Sequence, residues 1–82
     1  MIGHNRPSEV LNELYDILEA YQINLDTYDN DAFPAIKEYL KNDIKIPFQA
    51  YFYPWDNGLG GIWNVAFVEN GFPFLLTFEM IY

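Results

Sequence analysis

The sequence predicts an α+β domain in which two N-terminal helices pack on one face of a three-stranded antiparallel meander (ααβββ). Apolar residues recur at helical spacing in the first half of the chain and alternate in the second half, where two Asn-Gly dipeptides separate the alternating runs. The 82 residues are predicted to form a single domain, 1–82, with residues 1–7 as a frayed N-terminus. Hydrophobic residues make up 51% of the chain, which is enough for a dense core in a small domain.

The first helix is predicted over residues 8–22. At about 100° per residue, its apolar side chains fall on one arc. They are Val10, Leu11, Leu14, Ile17, Leu18 and Tyr21. Pro7 and Ser8 are typical of a helix start.

Residues 23–29 are predicted to be a connection to a second helix. That helix is expected to begin near Asp29–Asp31, with Asn30 or Asp31 as its cap, and to end at about Asn42. Its apolar face is supplied by Phe33, Ile36, Tyr39 and Leu40.

Three strands are predicted at 47–55, 61–69 and 72–81. A two-residue turn at Asn70-Gly71 would join the last two strands, because Asn-Gly is the strongest short hairpin signal. It would pair Glu69 with Phe72, Phe67 with Phe74, Val65 with Leu76 and Trp63 with Phe78. A tight turn at Asn57-Gly58 would set Phe52 opposite Trp63, Ala50 opposite Val65 and Phe48 opposite Phe67, and a four-residue loop at 57–60 would keep the same faces.

Two helices cover only one face of such a sheet, so part of the other face should meet solvent. We therefore expect Tyr51, Tyr53 and Trp55 to be at least partly exposed, and tyrosine and tryptophan are favoured at binding hot spots. The alternative is aromatic packing in the core or under a loop, which is at least as good an account of Trp55.

The net charge of −8 excludes several classes of partner. It repels nucleic acid and anionic membranes and favours a protein partner with a basic surface. No apolar stretch approaches the ~18 residues of a membrane span, and the N-terminus lacks the apolar run of a signal peptide. The chain has no cysteine, which fits the reducing cytoplasm predicted as its location.

The acidity is concentrated in the first 36 residues. This segment contains one basic residue, Arg6, and seven carboxylates. They are Glu9, Glu13, Asp16, Glu19, Asp26, Asp29 and Asp31. The first four give about one charge per 5 Å of helix, comparable to one phosphate per ~3.4 Å along a DNA strand. Two interpretations follow. The row is either the solvated face of an acidic protein or a surface that occupies a cationic groove meant for nucleic acid.

Catalytic and metal-binding patterns are missing from the sequence, so we predict no enzyme, cofactor or metal site. His4 is the only histidine, and no nucleophile–base set can be assembled around it. Glu79 is the best candidate general acid, but an outward strand residue is the simpler interpretation. Asp26, Asp29 and Asp31 lack the spacing, the glycine and the terminal glutamate of a calcium loop, and helix capping and turn formation explain them better.

The first residues carry a resemblance. Ile2, Gly3, His4, Asn5 and Pro7 form a stretch that resembles the opening of many small proteins of bacteriophages and prophages. Together with the small size and acidity, the resemblance implies a phage-encoded inhibitor of bacterial defence, of anti-CRISPR or antirestriction type. It further implies a CRISPR effector complex or restriction enzyme as the partner, inhibition as a DNA mimic, and the bacterial host cytoplasm as the location.

A second hypothesis stays open beside this one. The chain would then be an acidic interaction module of immunity or antitoxin type, or a small subunit. It would use the aromatic face of its sheet, or a sheet edge that joins a partner or a second copy into a homodimer.

Overall fold

The computed structural model describes residues 8–82. These described residues form two α-helices, a π-helical turn and four strands. They follow in the order α1 (Glu9–Tyr21), β1 (Thr27–Tyr28), α2 (Ala32–Glu38), a π-helical turn (Tyr39–Asp43), β2 (Phe48–Pro54), β3 (Gly60–Glu69) and β4 (Phe72–Ile81). The expected frayed segment 1–7 lies outside the described residues.

Helix α1 begins and ends close to its predicted bounds. The Ser8 hydroxyl accepts a hydrogen bond from the Leu11 amide at 2.9 Å, which satisfies one of the free N–H groups of the first turn. Val10, Leu14 and Leu18 recur every four residues and are buried, as the periodicity predicts. The helix ends where Gln22 adopts an extended backbone.

The second helical segment has Asp31 as its N-cap residue, as one of the two predicted alternatives. The Asp31 side chain makes no capping hydrogen bond. Instead, a carboxylate oxygen of Asp29 accepts the Asp31 amide at 2.9 Å. The α-helix ends at Glu38 and continues as the π-helical turn, where the Ile44 amide donates to the Tyr39 carbonyl at 3.0 Å.

Both predicted hairpins form in the predicted register. Glu69 pairs with Phe72 across the Asn70-Gly71 turn, whose residues have φ angles of 55° and 85°, as a type I′ turn requires. Phe52 pairs with Trp63 in the other hairpin, where the Trp55 amide donates to the Gly60 carbonyl at 2.8 Å.

The prediction of a three-stranded antiparallel meander is wrong, because the sheet is mixed and has four strands in the order β1-β4-β3-β2. β1 lies in the segment predicted to be a plain connection. It pairs parallel to β4, with Thr27 opposite Glu79 and Tyr28 opposite Met80. The Tyr28 ring also packs edge-on against the Phe78 ring, with centroids 5.9 Å apart. A two-residue strand shows no alternation, so the sequence pattern carries no signal for it.

One core joins the helices to the inner face of the sheet. The buried apolar side chains come from α1, from α2 with its π-helical turn, from β3 and from β4. They are Val10, Leu14, Leu18, Ala32, Ile36, Leu40, Val65, Phe67, Leu76, Phe78 and Met80. Around them the Phe33 ring stacks on Trp63 with centroids 3.7 Å apart. Because successive strand residues point to opposite faces, the alternate residues of β2, β3 and β4 form an outer face.

Candidate functional site

The groove between α1 and α2 is lined by carboxylates from both sides. Its apolar floor includes Ile17, Pro34 and Ala35. Its acidic residues are Glu13, Asp31, Glu38 and Asp43. All four are exposed, so their charges act on the surrounding solvent and on any approaching partner.

A second groove adjoins the first at the start of α1. It is lined by Glu9 and Glu13 of α1 and by Glu69 at the end of β3. Glu9 and Glu13 lie one helical turn apart, about 6 Å along the axis. Glu13 and Tyr39 line both grooves, so the two are continuous.

We call the carboxylates that line these two grooves the acidic band. It consists of Glu9, Glu13, Asp31, Glu38, Asp43 and Glu69. Within residues 8–82, no lysine lines either groove. The band is therefore a continuous negative surface that runs across the helical layer to the end of β3.

The Tyr39 phenol lies where the two grooves meet, and its pKa responds to the negative charges there. Burial raises the pKa of Tyr39, and the charges of Glu13, Glu69 and Asp43 raise it further because they oppose a phenolate. A phenol that stays neutral is a hydrogen-bond donor and acceptor in the centre of an acidic surface.

Glu69 also ties the band to the fold. Its carboxylate accepts hydrogen bonds from the buried Ser8 hydroxyl and from the Val10 amide, the latter at 3.4 Å. A carboxylate at a helix N-terminus is favoured by the helix dipole. Ser8 therefore caps α1 and at the same time joins it to the β3–β4 hairpin.

The structure divides the acidic residues predicted from the sequence. Three of the predicted residues, Glu9, Glu13 and Asp31, belong to the acidic band. Asp16 and Glu19 are exposed on α1 but line neither groove.

The remaining two predicted acids lie in the segment between α1 and α2. Asp26 lines a shallow pocket with Glu79, and its amide donates to the Asn24 side chain at 3.1 Å. Asp29 is half-buried and accepts the Asp31 amide, which is a local role of the kind expected for capping.

Sequence reasoning missed Glu38, Asp43, Glu69 and Tyr39 as members of one surface. The lysines of the same segment, Lys37 and Lys41, nearly cancel its acids in a charge count. A helical projection would have separated these acids from the lysines, because Asp31 and Glu38 are seven residues apart and therefore lie on the same face of the helix. No comparable signal exists for Glu69, which reaches α1 only through the fold.

The second candidate surface is the outer sheet face. It is formed by Gln49, Tyr51, Tyr53, Ile62, Asn64, Ala66, Val68, Pro73, Leu75, Thr77, Glu79 and Ile81. Tyr51 and Tyr53 are each 55% exposed. Trp55 is only half-buried and its ring lies over Gly60, where an added Cβ would come within 2.9 Å of it. Trp55 therefore packs on its own hairpin, beside the two tyrosines.

Residues 8–82 contain no group of three or more histidine, cysteine, aspartate or glutamate side chains arranged to hold a metal ion. No helix in the same described range is both long and apolar enough to cross a membrane. Comparisons with family models, curated proteins and solved structures found no match for the chain.

Proposed function

We propose that this chain is a non-catalytic inhibitor that binds a basic, nucleic-acid-binding surface of a bacterial defence complex and blocks nucleic-acid access. The observation that carries the proposal is the acidic band, which crosses two helices and the end of a strand, and which no base of residues 8–82 lines. Surface charges of one sign steer an oppositely charged partner and raise its association rate.

The extent of the band supports binding to a broad cationic surface rather than to a single side chain. Glu9 and Glu13 follow α1, while Asp31 and Glu38 lie two turns apart on the second helical segment, about 10 Å along its axis. A surface that normally holds a phosphate backbone presents several lysine or arginine side chains at comparable intervals. Each exposed pair is weak, so affinity would come from several pairs acting together.

The resemblance of the N-terminal stretch to phage and prophage proteins indicates which basic surface to test. A CRISPR effector complex or a restriction enzyme carries such a surface and meets phage-encoded proteins in the bacterial cytoplasm. Occupation of its nucleic-acid groove by the acidic band would make the chain a DNA mimic of anti-CRISPR type.

The test measures how the purified chain displaces labelled target DNA from purified CRISPR effector complexes and restriction enzymes, by fluorescence anisotropy. The band variant is Glu13→Lys with Asp43→Lys, and the matched control is Asp16→Lys with Glu19→Lys. Both variants change the net charge by the same amount, but only the first alters the band.

We expect the band variant to inhibit at least ~10-fold more weakly and the control to inhibit nearly as well as the natural chain. Inhibition should also fall steeply as salt rises from about 50 to about 500 mM, because exposed charges are screened. Equal loss in both variants would show that net charge, not the band, governs binding. Failure to displace DNA from any such complex at low salt would refute the proposed function.

A second candidate function is favoured by the exposed tyrosines of the outer sheet face. The chain would then be an interaction module of immunity or antitoxin type, or a small subunit, that binds its partner through this face or an edge of the sheet. In that case Tyr53→Ala should weaken partner binding more than the band variant does, since a half-exposed aromatic side chain is a typical binding anchor.

A further inference from the structure

The outer sheet face is a large apolar surface that the helices leave uncovered. Four of its apolar side chains are more than half exposed: Tyr51 and Tyr53 on β2, Val68 on β3 and Leu75 on β4. They spread over three adjacent strands, so they form one surface rather than scattered positions. Continuous apolar patches of this kind on small proteins mark interaction sites.

Charge is nearly absent from this face, although the chain carries −8. Among the strand residues that form the face in the described part of the chain, only Glu79 is charged. Glu79 is half-buried and lies at the end of β4 that pairs with β1. The centre of the face holds Asn64 and Thr77, whose side chains are hydrogen-bonded to each other at 2.8 Å. Asp26 lines a pocket with Thr77 and Glu79, so the charges at this face gather on its β1 side. Two copies of an acidic protein can therefore meet over the centre of the face with little repulsion.

The size of the face suits a weak, reversible dimer. Strands about 4.8 Å apart at about 3.4 Å per residue, of seven residues in β2 and ten each in β3 and β4, present roughly 440 Å² of flat area. Two copies would bury at most roughly 900 Å² together, which is the size of a weak, transient interface.

We propose that a second copy of this chain covers the outer sheet face, so that the two sheets pack face to face and the helical layers lie on the two outer sides. Stacked layers lie about 10 Å apart, so the two helical layers would be separated by roughly 30 Å, well beyond a Debye length of about 8 Å. The helical residues of the two acidic bands therefore do not oppose dimerisation, and Glu69, the one band residue on the sheet, lies at the end of β3. Each stays free on its own side, and the dimer presents two of them.

The contact centres on Tyr51, Ala66 and Leu75, away from Glu79. The strand register places Gln49, Ala66 and Leu75 side by side, and Tyr51 beside Asn64 and Thr77 in the next row. Sheets that pack in this way cross at about 30°, which keeps the central rows in contact and leaves the ends at the rim. Glu79 would lie at that rim, where its carboxylate keeps its water.

The test is sedimentation velocity of the full chain from about 5 to about 500 µM, with a matched pair of variants. Leu75 is 60% exposed on the outer sheet face, and Leu59 is 61% exposed in the β2–β3 turn. We expect the natural chain to dimerise with a Kd inside this concentration range. Leu75→Asp should raise that Kd by roughly 100-fold or more, since the change is present in both copies, and Leu59→Asp should leave it nearly unchanged.

Two further measurements separate this interface from its alternatives. Near-ultraviolet circular dichroism of the tryptophans, one of which stacks on Phe33, checks that each variant is folded. Tyr51→Ala, a smaller change, should also weaken the dimer measurably. Leu75 on β4 and Tyr51 on β2 lie on opposite sides of β3, so an interface that uses only one edge of the sheet would not need both. A dimer that persists in folded Leu75→Asp does not use the centre of the outer sheet face and overturns the proposal. A natural chain that stays monomeric up to about 500 µM overturns it as well. Neither result bears on DNA displacement by the acidic band, which is measured separately.

Discussion

Ser8→Ala tests the connection between helix α1 and the β3–β4 hairpin. In the folded chain the Ser8 hydroxyl accepts the Leu11 amide at 2.9 Å and donates to the Glu69 carboxylate. Alanine removes both hydrogen bonds at a residue that is only 4% exposed. Water therefore has limited access to replace the hydroxyl.

The expected cost follows from these two interactions. Loss of a serine cap costs about 1 kcal/mol. Loss of a hydrogen bond to a charged group costs about 1.5–3 kcal/mol, and the lower value applies because Glu69 is half-buried and regains some hydration. We expect the free energy of unfolding to fall by about 2.5 kcal/mol, which lowers Tm by roughly 10–20 °C for a domain of this size.

Urea unfolding followed by far-ultraviolet circular dichroism measures this loss, and Ser8→Gly serves as the control. Glycine retains most of the N-cap preference but also lacks the hydroxyl, so the difference between the two variants isolates the cap from the bond to Glu69. A double-mutant cycle with Glu69→Ala should give a coupling energy of about 1 kcal/mol. A loss below about 0.5 kcal/mol in Ser8→Ala, or a coupling of zero, would refute the reasoning.

Three further predictions concern the fold and its charges. Gly60→Ala should lower the free energy of unfolding, measured in urea, by about 3 kcal/mol or more, because a methyl group there collides with the Met80 carbonyl and the Trp55 ring. As the control, Gly71→Ala meets no atom within 4 Å and should lower it by about 1 kcal/mol, from its φ of 85° alone. Phe33→Leu should cost about 1 kcal/mol and weaken the near-ultraviolet signal of the tryptophan on which Phe33 stacks; an unchanged spectrum would contradict the stacked geometry. Tyr39 contributes stability that is present below the ordinary phenol pKa of 10.0 and is lost as pH rises above it, because the folded state raises the pKa of Tyr39. Unfolding measured from about pH 8 to about pH 11 should therefore show a smaller decline in Tyr39→Phe than in the natural chain, and identical declines would exclude the effect.

Local features explain why the hairpins could be predicted from the sequence. Asn70 and Gly71 both adopt positive φ, which asparagine and glycine tolerate better than other residues, and this conformation sets which residues face each other across the turn. The alternation of apolar residues then decides which face is buried, since a slip of one residue would turn Val65 and Phe67 to solvent. Turn chemistry and burial agree in this segment, so the register was recoverable.

The candidate site could be predicted only in part, because its residues come from distant parts of the sequence. Glu9 and Glu13 share a helix, and their common face is readable from the spacing. The membership of Glu69 depends on where β3 ends relative to α1, a contact over about sixty residues of chain. Asp43 belongs to the band because the helical backbone continues through the π-helical turn. No residue pattern in the sequence predicts that change of backbone hydrogen bonding.

Periodicity and turn chemistry in the chain were sufficient for the helices, the two hairpins and the buried inner face, because each depends on residues close together in sequence. Tertiary packing alone decided the fourth strand. Thr27 and Tyr28 have no alternation to mark them, and their conformation becomes favourable only when the edge of β4 offers its free backbone groups at Glu79 and Met80. Tertiary packing also determined which residues form the acidic band, because carboxylates from separate elements act as one surface only after the helices have packed on the sheet.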